Sequence, residues 1–479
     1  MNKSNRNEIR EPLFLIMVTV LILFSLSFIN TSFNVGNFNA KKISIVSDVI
    51  VAPATQTASP YPWLNDSIED WLANLLNDRP YSFLVNDSVK GAKRSSTMKP
   101  EGIFDFSKDS IGTLANFFRA LVSCKQSKKK VRVAYFGDSM IEGDLLTQDF
   151  RQSLQSMFGG RGVGFVPITS IVAGFRRTII HSFSSDWSDH SLIETSNESH
   201  PLGLTGHVFS PSAGSHVTYK APSYYSQLNS FKSVKLYYGT GNANNTAQLT
   251  LDTAKKEVVL SGTDAVNELV LNENAILHSV KLEFNCSEPQ NVFGVSFEDD
   301  AGVYVDNYSF RGNSGLALTK IPYSVFRGFN KYLNYDLIVL QYGLNTVGHD
   351  QKDYSWYSRG LSTLLDYLKN IFPNSSILLI SVGDKSWKSP DGWTTEPDIP
   401  ILVETQKKAA QTKGIAFWNL YEAMGGKNSM THWVEGDTLL ATPDYAHLNY
   451  RGAKRISDQL FRQLMKEFSE YEKKINIQQ

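Results

Sequence analysis

Five residues of this chain are of the types that could together cleave an ester: Ser139, Asp444, His447, Asn345 and Gly312. A serine hydroxyl is a weak nucleophile until a base takes its proton, and the base needs a third group to orient it. Ser139 stands in "VRVAYFGDSMIEG", where a largely apolar run leads directly into Gly-Asp-Ser. Asp444 and His447 stand three residues apart in "TPDYAHLNYRGAKRI", so one turn of chain could bring the carboxylate to the imidazole. A tetrahedral oxyanion also needs hydrogen-bond donors. Asn345 in "LQYGLN" and Gly312 in "SFRGNSG" are candidates. Singly, each has a bland reading: Gly-Asp-Ser recurs by chance, Asp-x-x-His is an ordinary loop pair, and glycines make turns.

The elements around these residues give them a common place. "VRVAYF" reads as a strand that turns at Gly137 into a helical pattern. Such a turn lies at the carboxyl edge of a sheet, where α/β proteins bind ligands, and a helix N-terminus behind it favours negative charge. "YDLIVLQYG" (335–343) and "SSILLIS" (375–381) are continuous apolar runs of buried-strand type, and "IAFWNL" (415–420) is a weaker one. Helical patterns occupy about 355–371, 401–413 and 450–472, and one built on Ile111, Leu114, Phe118, Leu121 and Val122 precedes the first strand. Uniformly apolar strands alternating with helices predict a parallel sheet covered on both faces. Between about 176 and 305 the pattern differs. Short alternating runs such as "SVKLYYG", "AQLTLD" and "HSVKLEFN", separated by Gly/Asn/Asp turns, predict an antiparallel sandwich set inside the α/β domain.

Bulk composition narrows the partners. Lys+Arg and Asp+Glu both number 47, so the net charge is zero and nothing global favours nucleic acid. The basic run "KQSKKK" (125–130) reads as a solvated helix end. Two cysteines, Cys124 and Cys286, cannot build a disulfide framework or a zinc cluster, and their bridging is left open. "LFLIMVTVLILFSLSFI" (13–29) carries no charge and follows Lys3, Arg6 and Arg10. Its length reaches the lower end of the bilayer-spanning range, and the preceding cations favour an N-in orientation. A signal anchor is expected over 1–30, with a cleaved signal peptide as the rival. Either way the rest of the chain lies outside the cytoplasm, in the cell envelope. Residues 31–100 read as a linker, Pro/Ala/Ser/Thr-rich over its first part to residue 62, with one short helical pattern at 68–76.

Taken together, "FGDSMIEG", "RGNSG", "YGLN" and "DYAHLN" resemble, in order, the four blocks of the SGNH (GDSL-type) hydrolase family. The resemblance covers roughly 105–175 and 305–472. It implies a flavodoxin-like three-layer α/β/α domain, here in two parts, 101–175 and 306–479, around an inserted β-sandwich at 176–305. It implies Ser139 as nucleophile, His447 as base, Asp444 orienting it, and an oxyanion hole from the Ser139 and Gly312 N–H groups and the Asn345 side chain. No metal or organic cofactor is implied. The insert makes the layout similar to that of bacterial peptidoglycan O-acetylesterases, which carry a carbohydrate-binding-type sandwich within this fold. Its "YYSQLN" and "LYYGTGNANN" could stack on sugars, though Tyr and Asn are equally ordinary surface residues of a sandwich. The expected function is a membrane-tethered or periplasmic serine esterase acting on an acetylated polysaccharide or peptidoglycan. The rivals are a polysaccharide O-acetyltransferase using the same residues and a non-catalytic carbohydrate-binding protein.

Overall fold

The computed structural model describes residues 33–35, 38–40, 102–108, 111–193 and 200–477. The apolar run at 13–29 and the helical pattern at 68–76 lie outside the described residues. Phe33–Val35 and Phe38–Ala40 pair as two short antiparallel strands within a compact unit spanning Met1–Ser67. The elements below belong to the second unit, Ile68–Gln479.

Its centre is a six-stranded sheet of β1 (Ile103–Asp105), β2 (Lys130–Gly137), β3 (Gly302–Ser309), β4 (Leu337–Gln341), β5 (Ser376–Ile380) and β6 (Ala416–Trp418). The order is β3-β2-β4-β5-β6-β1, parallel except for β1, which pairs antiparallel with β6 at one edge. Every residue of β4, β5 and β6 is buried, as a sheet covered on both faces requires. The helices are α1 (Ala115–Ser127), α2 (Thr147–Phe158), α3 (Tyr323–Leu333), α4 (Ser355–Ile371), α5 (Ile399–Lys413) and α6 (Tyr450–Ile477). Alternate strand residues face opposite ways. Phe136, Ile338, Leu340, Ile377 and Leu379 share a core with α3, α4 and α5. Tyr135 packs edge-on against Phe150 of α2, on the side where α1, α2 and α6 lie together. In α4 the buried residues Tyr357, Leu361, Leu364, Leu365, Leu368 and Ile371 recur at helical spacing and make the stripe that seats it. Ile111 stands before α1 and is exposed.

The antiparallel part comprises two sheets. One holds Gly164–Pro167, Ser188–Ser191, His207–Ser210, Ser233–Tyr238, Asn267–Asn272 and Val292–Glu298; the other holds Ile180–Phe183, His216–Lys220, Thr246–Leu251, Ala254–Val259 and Ser279–Asn285. Val217, Tyr219, Leu236, Leu249, Leu282, Val295 and Phe297 fill a common core of these sheets. Part of the outer face of the first sheet is covered. Its Phe165, Tyr237 and Phe293 join the α/β core around Phe329 of α3.

These pairings move the expected boundaries at 175 and 305. Gly164–Pro167 already pairs with Val292–Glu298, so the antiparallel part begins earlier. Gly302–Ser309 pairs in parallel with β2, so the α/β sheet resumes before residue 306. The reason the second boundary is hard to read is the presence of buried Asp306 and Asn307 in β3. Asp306 accepts from Arg132 Nη1 at 2.6 Å and from the Phe165 N–H at 2.9 Å, and Asn307 Nδ2 donates to the Ile141 carbonyl at 2.7 Å. Cys124 and Cys286 are both free thiols.

Candidate active site

Strand β2 ends at Gly137, whose place has no room for a side chain. A Cβ there would meet Ile141 Cδ1 at 2.9 Å and the Gln341 carbonyl oxygen at 3.1 Å. Glycine is therefore needed for close approach, and its φ is outside the left-handed region. No α-helix follows at once. Ser139–Asp144 is a 3-10 turn broken at Glu142 and Gly143, and α2 starts only at Thr147. Asp138 caps this turn, its Oδ1 accepting from the Met140 N–H at 3.0 Å. Ser139, first in the turn, keeps a backbone N–H that no carbonyl of the turn can take.

Ser139 Oγ lies 2.8 Å from His447 Nε2, and His447 Nδ1 lies 2.6 Å from Asp444 Oδ2. With the Nδ1 proton facing the carboxylate, Nε2 is left as the acceptor for the serine hydroxyl. The loop before α6 holds this geometry. Asp444 Oδ1 accepts from the N–H groups of Ala446 at 3.0 Å and His447 at 3.1 Å, and from Thr442 Oγ1 at 2.6 Å. Burial alone would raise the Asp444 carboxyl, but Thr442, the His447 ring and these two N–H groups outweigh it and hold the group at about 2. It is an anion throughout the neutral range. The arrangement can pass a proton from hydroxyl to imidazole while a fixed anion supports the resulting cation.

Asn345 stands just past β4 and is exposed. Its Nδ2 donates to Asp138 Oδ2 at 3.2 Å and to the Asn313 carbonyl at 3.3 Å. Three segments, one from each of β2, β3 and β4, thereby meet at one amide. Gly312 is exposed, sits at φ 71 and has nothing within 4 Å of a Cβ position. Gly315, three residues on, is buried against the Tyr342 ring, and its N–H is taken by Asn313 Oδ1 at 2.9 Å. Beside Gly312, Arg311 Nε grips Glu142 Oε1 at 2.9 Å and Oε2 at 3.0 Å, tying this segment to the turn after Ser139.

Two groups that the sequence reading passes over complete the site. Asp138 was legible only as part of Gly-Asp-Ser; burial pushes its carboxyl up to about 6, against the pull of the Met140 N–H, His447 and Asn345. Tyr445, between Asp444 and His447, adopts φ 56 and stacks on Trp393 with centroids 3.8 Å apart and planes at 11°. Trp393 belongs to a small hairpin, Ser386–Ser389 with Gly392–Thr395, whose Ser386 N–H also donates to the Tyr445 carbonyl at 2.9 Å. No local signal marks Trp393, because the contact joins segments distant in sequence.

The tyrosines expected at the surface of the antiparallel part divide sharply. Tyr237 and Tyr238 are both buried, because the first faces α3 and the second faces the core of the two sheets. Tyr225 donates its hydroxyl to Asp149 Oδ1 at 3.0 Å. Tyr224 is half exposed.

No protein-family model and no curated protein matches the sequence. Among solved structures, that of a peptidoglycan O-acetylesterase covers 77% of this chain and 99% of its own, with a TM-score of 0.62 and 19% identity. A family two carbohydrate esterase from Clostridium thermocellum, in complex with cellohexaose, covers 60% of this chain and 99% of its own at TM-score 0.28 and 10% identity. An acetyl xylan esterase covers 33% of this chain and 80% of its own at TM-score 0.26 and 18% identity. Only the first likeness carries weight, and at that identity it is one of fold: an α/β layer with antiparallel sheets set into it.

Proposed function

We propose that this protein is a serine esterase that removes O-acetyl groups from a cell-envelope or other polysaccharide, working as a peptidoglycan O-acetylesterase does. The observation that carries the reading is the unbroken chain Ser139–His447–Asp444, with contacts of 2.8 and 2.6 Å. The shared fold with a peptidoglycan O-acetylesterase supports the substrate class. Ser139 Oγ attacks the acetyl carbonyl as His447 Nε2 takes its proton, and Asp444 stabilises the imidazolium. The tetrahedral oxyanion is met by the N–H groups of Ser139 and Gly312 and by the Asn345 amide. His447 then returns the proton to the departing sugar oxygen, leaving an acetyl-enzyme, and the same residue activates the water that releases acetate. The apolar run 13–29 would tether this activity to the outer face of a membrane.

The test is acetate release from O-acetylated peptidoglycan and from acetylated xylan, measured side by side. Ser139→Ala should abolish release without changing the thermal midpoint, and a serine-directed organophosphate should label the wild type at Ser139. Labelling at another serine, or acetate release by the variant, would overturn the assignment. Acetyl groups passed to an added sugar in preference to water would recast the enzyme as a transferase.

A further inference from the structure

Tyr450 opens α6 three residues past His447, and its hydroxyl donates to the Phe175 carbonyl at 2.9 Å. Phe175 stacks on the Tyr450 ring, with centroids 5.1 Å apart and planes at 26°. The Phe175 ring also fills the space over Gly143, four residues past Ser139, where a Cβ would meet Phe175 Cδ1 at 2.5 Å. This one side chain therefore spans from the turn that carries Ser139 to the helix behind His447. It is nonetheless 47% exposed.

Next to it, the Arg177 guanidinium lies 3.6 Å from the Tyr450 ring centroid and 5.7 Å from that of Tyr224, which is 50% exposed. No carboxylate among the described residues forms an ion pair with Arg177. The neighbouring charges do not neutralise it either. Arg151 and Arg176 both pair with Asp144, at 2.7 and 3.3 Å, so two buried cations already share one anion beside it. One N–H of this guanidinium is directed at the Tyr450 hydroxyl, and the planar fork of its remaining N–H groups matches a carboxylate. Exposed aromatic rings around such a cation offer flat apolar faces to the C–H faces of a sugar ring.

We propose that Phe175, Arg177, Tyr224 and Tyr450 form a saccharide subsite for a sugar unit that carries a carboxylate, next to the unit whose acetyl group reaches Ser139. The inference takes the acetylated-polysaccharide substrate from the esterase reading and adds its charge. The carboxylate can belong to a uronic acid ring or to a peptide stem attached to the sugar.

Four probes separate these cases with the full chain: acetylated oligogalacturonate, acetylated cello-oligosaccharide, and O-acetylated muramoyl-peptides with free or amidated stem carboxylates. The wild type should favour the acidic probes, more strongly at low ionic strength. Arg177→Gln should lower the acidic-to-neutral ratio of kcat/KM by about tenfold or more, and Arg177→Lys should lower it less. A preference for galacturonate places the carboxylate on the ring, and one for the free stem places it on the peptide. A ratio that Arg177→Gln leaves unchanged, with both probes slowed alike or neither, overturns the subsite. Calorimetry with oligogalacturonate lacking acetyl groups tests binding without turnover. Arg177-dependent binding with no acetate release from any polymer would sink the esterase reading and keep the subsite. Acetate release without charge preference would do the reverse.

Discussion

Asn345 Nδ2 and Asp138 Oδ2 lie 3.2 Å apart, which makes the acid of Gly-Asp-Ser the anchor of the candidate oxyanion amide. The second contact of that nitrogen, 3.3 Å to the Asn313 carbonyl, is long enough for an oxyanion to compete with it. Asn345→Ala should lower kcat by ~10²–10³-fold with little change in KM. Asp138→Asn keeps an acceptor for the Met140 N–H but turns an amide toward an amide at Asn345. We expect kcat to fall by about tenfold, the scale of one charge-assisted hydrogen bond. An Asp138→Asn enzyme as fast as the wild type would show that Asn345 needs no anchor.

Trp393 stacks on the loop that joins Asp444 to His447. A non-glycine residue in the left-handed region costs ~1–2 kcal/mol, and Tyr445 sits there at φ 56 between Asp444 and His447. An aromatic pair contributes ~0.5–1.5 kcal/mol beyond its buried area, so the Trp393 stack offsets much of that strain. Without it the loop can relax and carry the imidazole off line. Trp393→Ala should lower kcat and the rate of organophosphate labelling at Ser139 together, by about tenfold or more, with KM for a small acetate ester little changed. Trp393→Phe should restore most of both. A loss confined to KM would instead make the tryptophan a substrate contact.

What the sequence reveals depends on how local the signal is. β4 and β5 are legible because every residue of each is apolar or buried, and α4 because its stripe repeats cleanly. Ser139, Asp444 and His447 are legible because each stands in a short pattern with a chemical meaning. β3 is not legible because Asp306 and Asn307 break its apolar pattern, when distant partners satisfy both in the core. Tyr237 and Tyr238 look like an inward and outward pair, but α3 covers the outer face too. Gly164–Pro167 is only four residues long and follows a helix, so its pairing partner far along the chain alone defines it.

Asp336 offers a pH test away from the site. Its Oδ2 accepts from the Arg132 N–H at 3.0 Å, yet burial pushes the carboxyl up to about 6, against that hydrogen bond and the Arg132 charge. The folded protein thus holds this proton more tightly than the unfolded chain, where the group titrates near 3.8. Stability from this group is full below that value and is lost as pH rises through about 6. Asp336→Asn keeps an acceptor and removes the charge. Its thermal midpoint should exceed the wild type by about 2 °C or more at neutral pH, and the advantage should vanish under acid conditions near the unfolded value. An advantage that is the same at both would trace to packing, not ionisation.

Arg132 joins the antiparallel sheets to the α/β layer. From β2 it reaches Asp306 of β3 at 2.6 Å and also pairs with Glu298, the last residue of an antiparallel strand, to which Lys130 adds a contact of 2.6 Å. Burial would raise Glu298, but Arg132 and Lys130 prevail and hold it at about 2. Removing the arginine leaves Asp306 in the interior without its cation and Glu298 with Lys130 alone, and breaking a buried pair from one side costs ~3–5 kcal/mol. Arg132→Met should therefore lower the thermal midpoint far more than Glu298→Gln, which leaves Arg132 its Asp306 partner. Because Phe165, Tyr237 and Phe293 of the antiparallel sheet share a core with Phe329 of α3, both parts should unfold together. Calorimetry of the wild type and of Glu298→Gln should give one transition, coincident with the loss of small-ester activity. Two separated transitions, with activity lost at only one, would mean that the shared core and the Arg132 bridge do not couple the two parts.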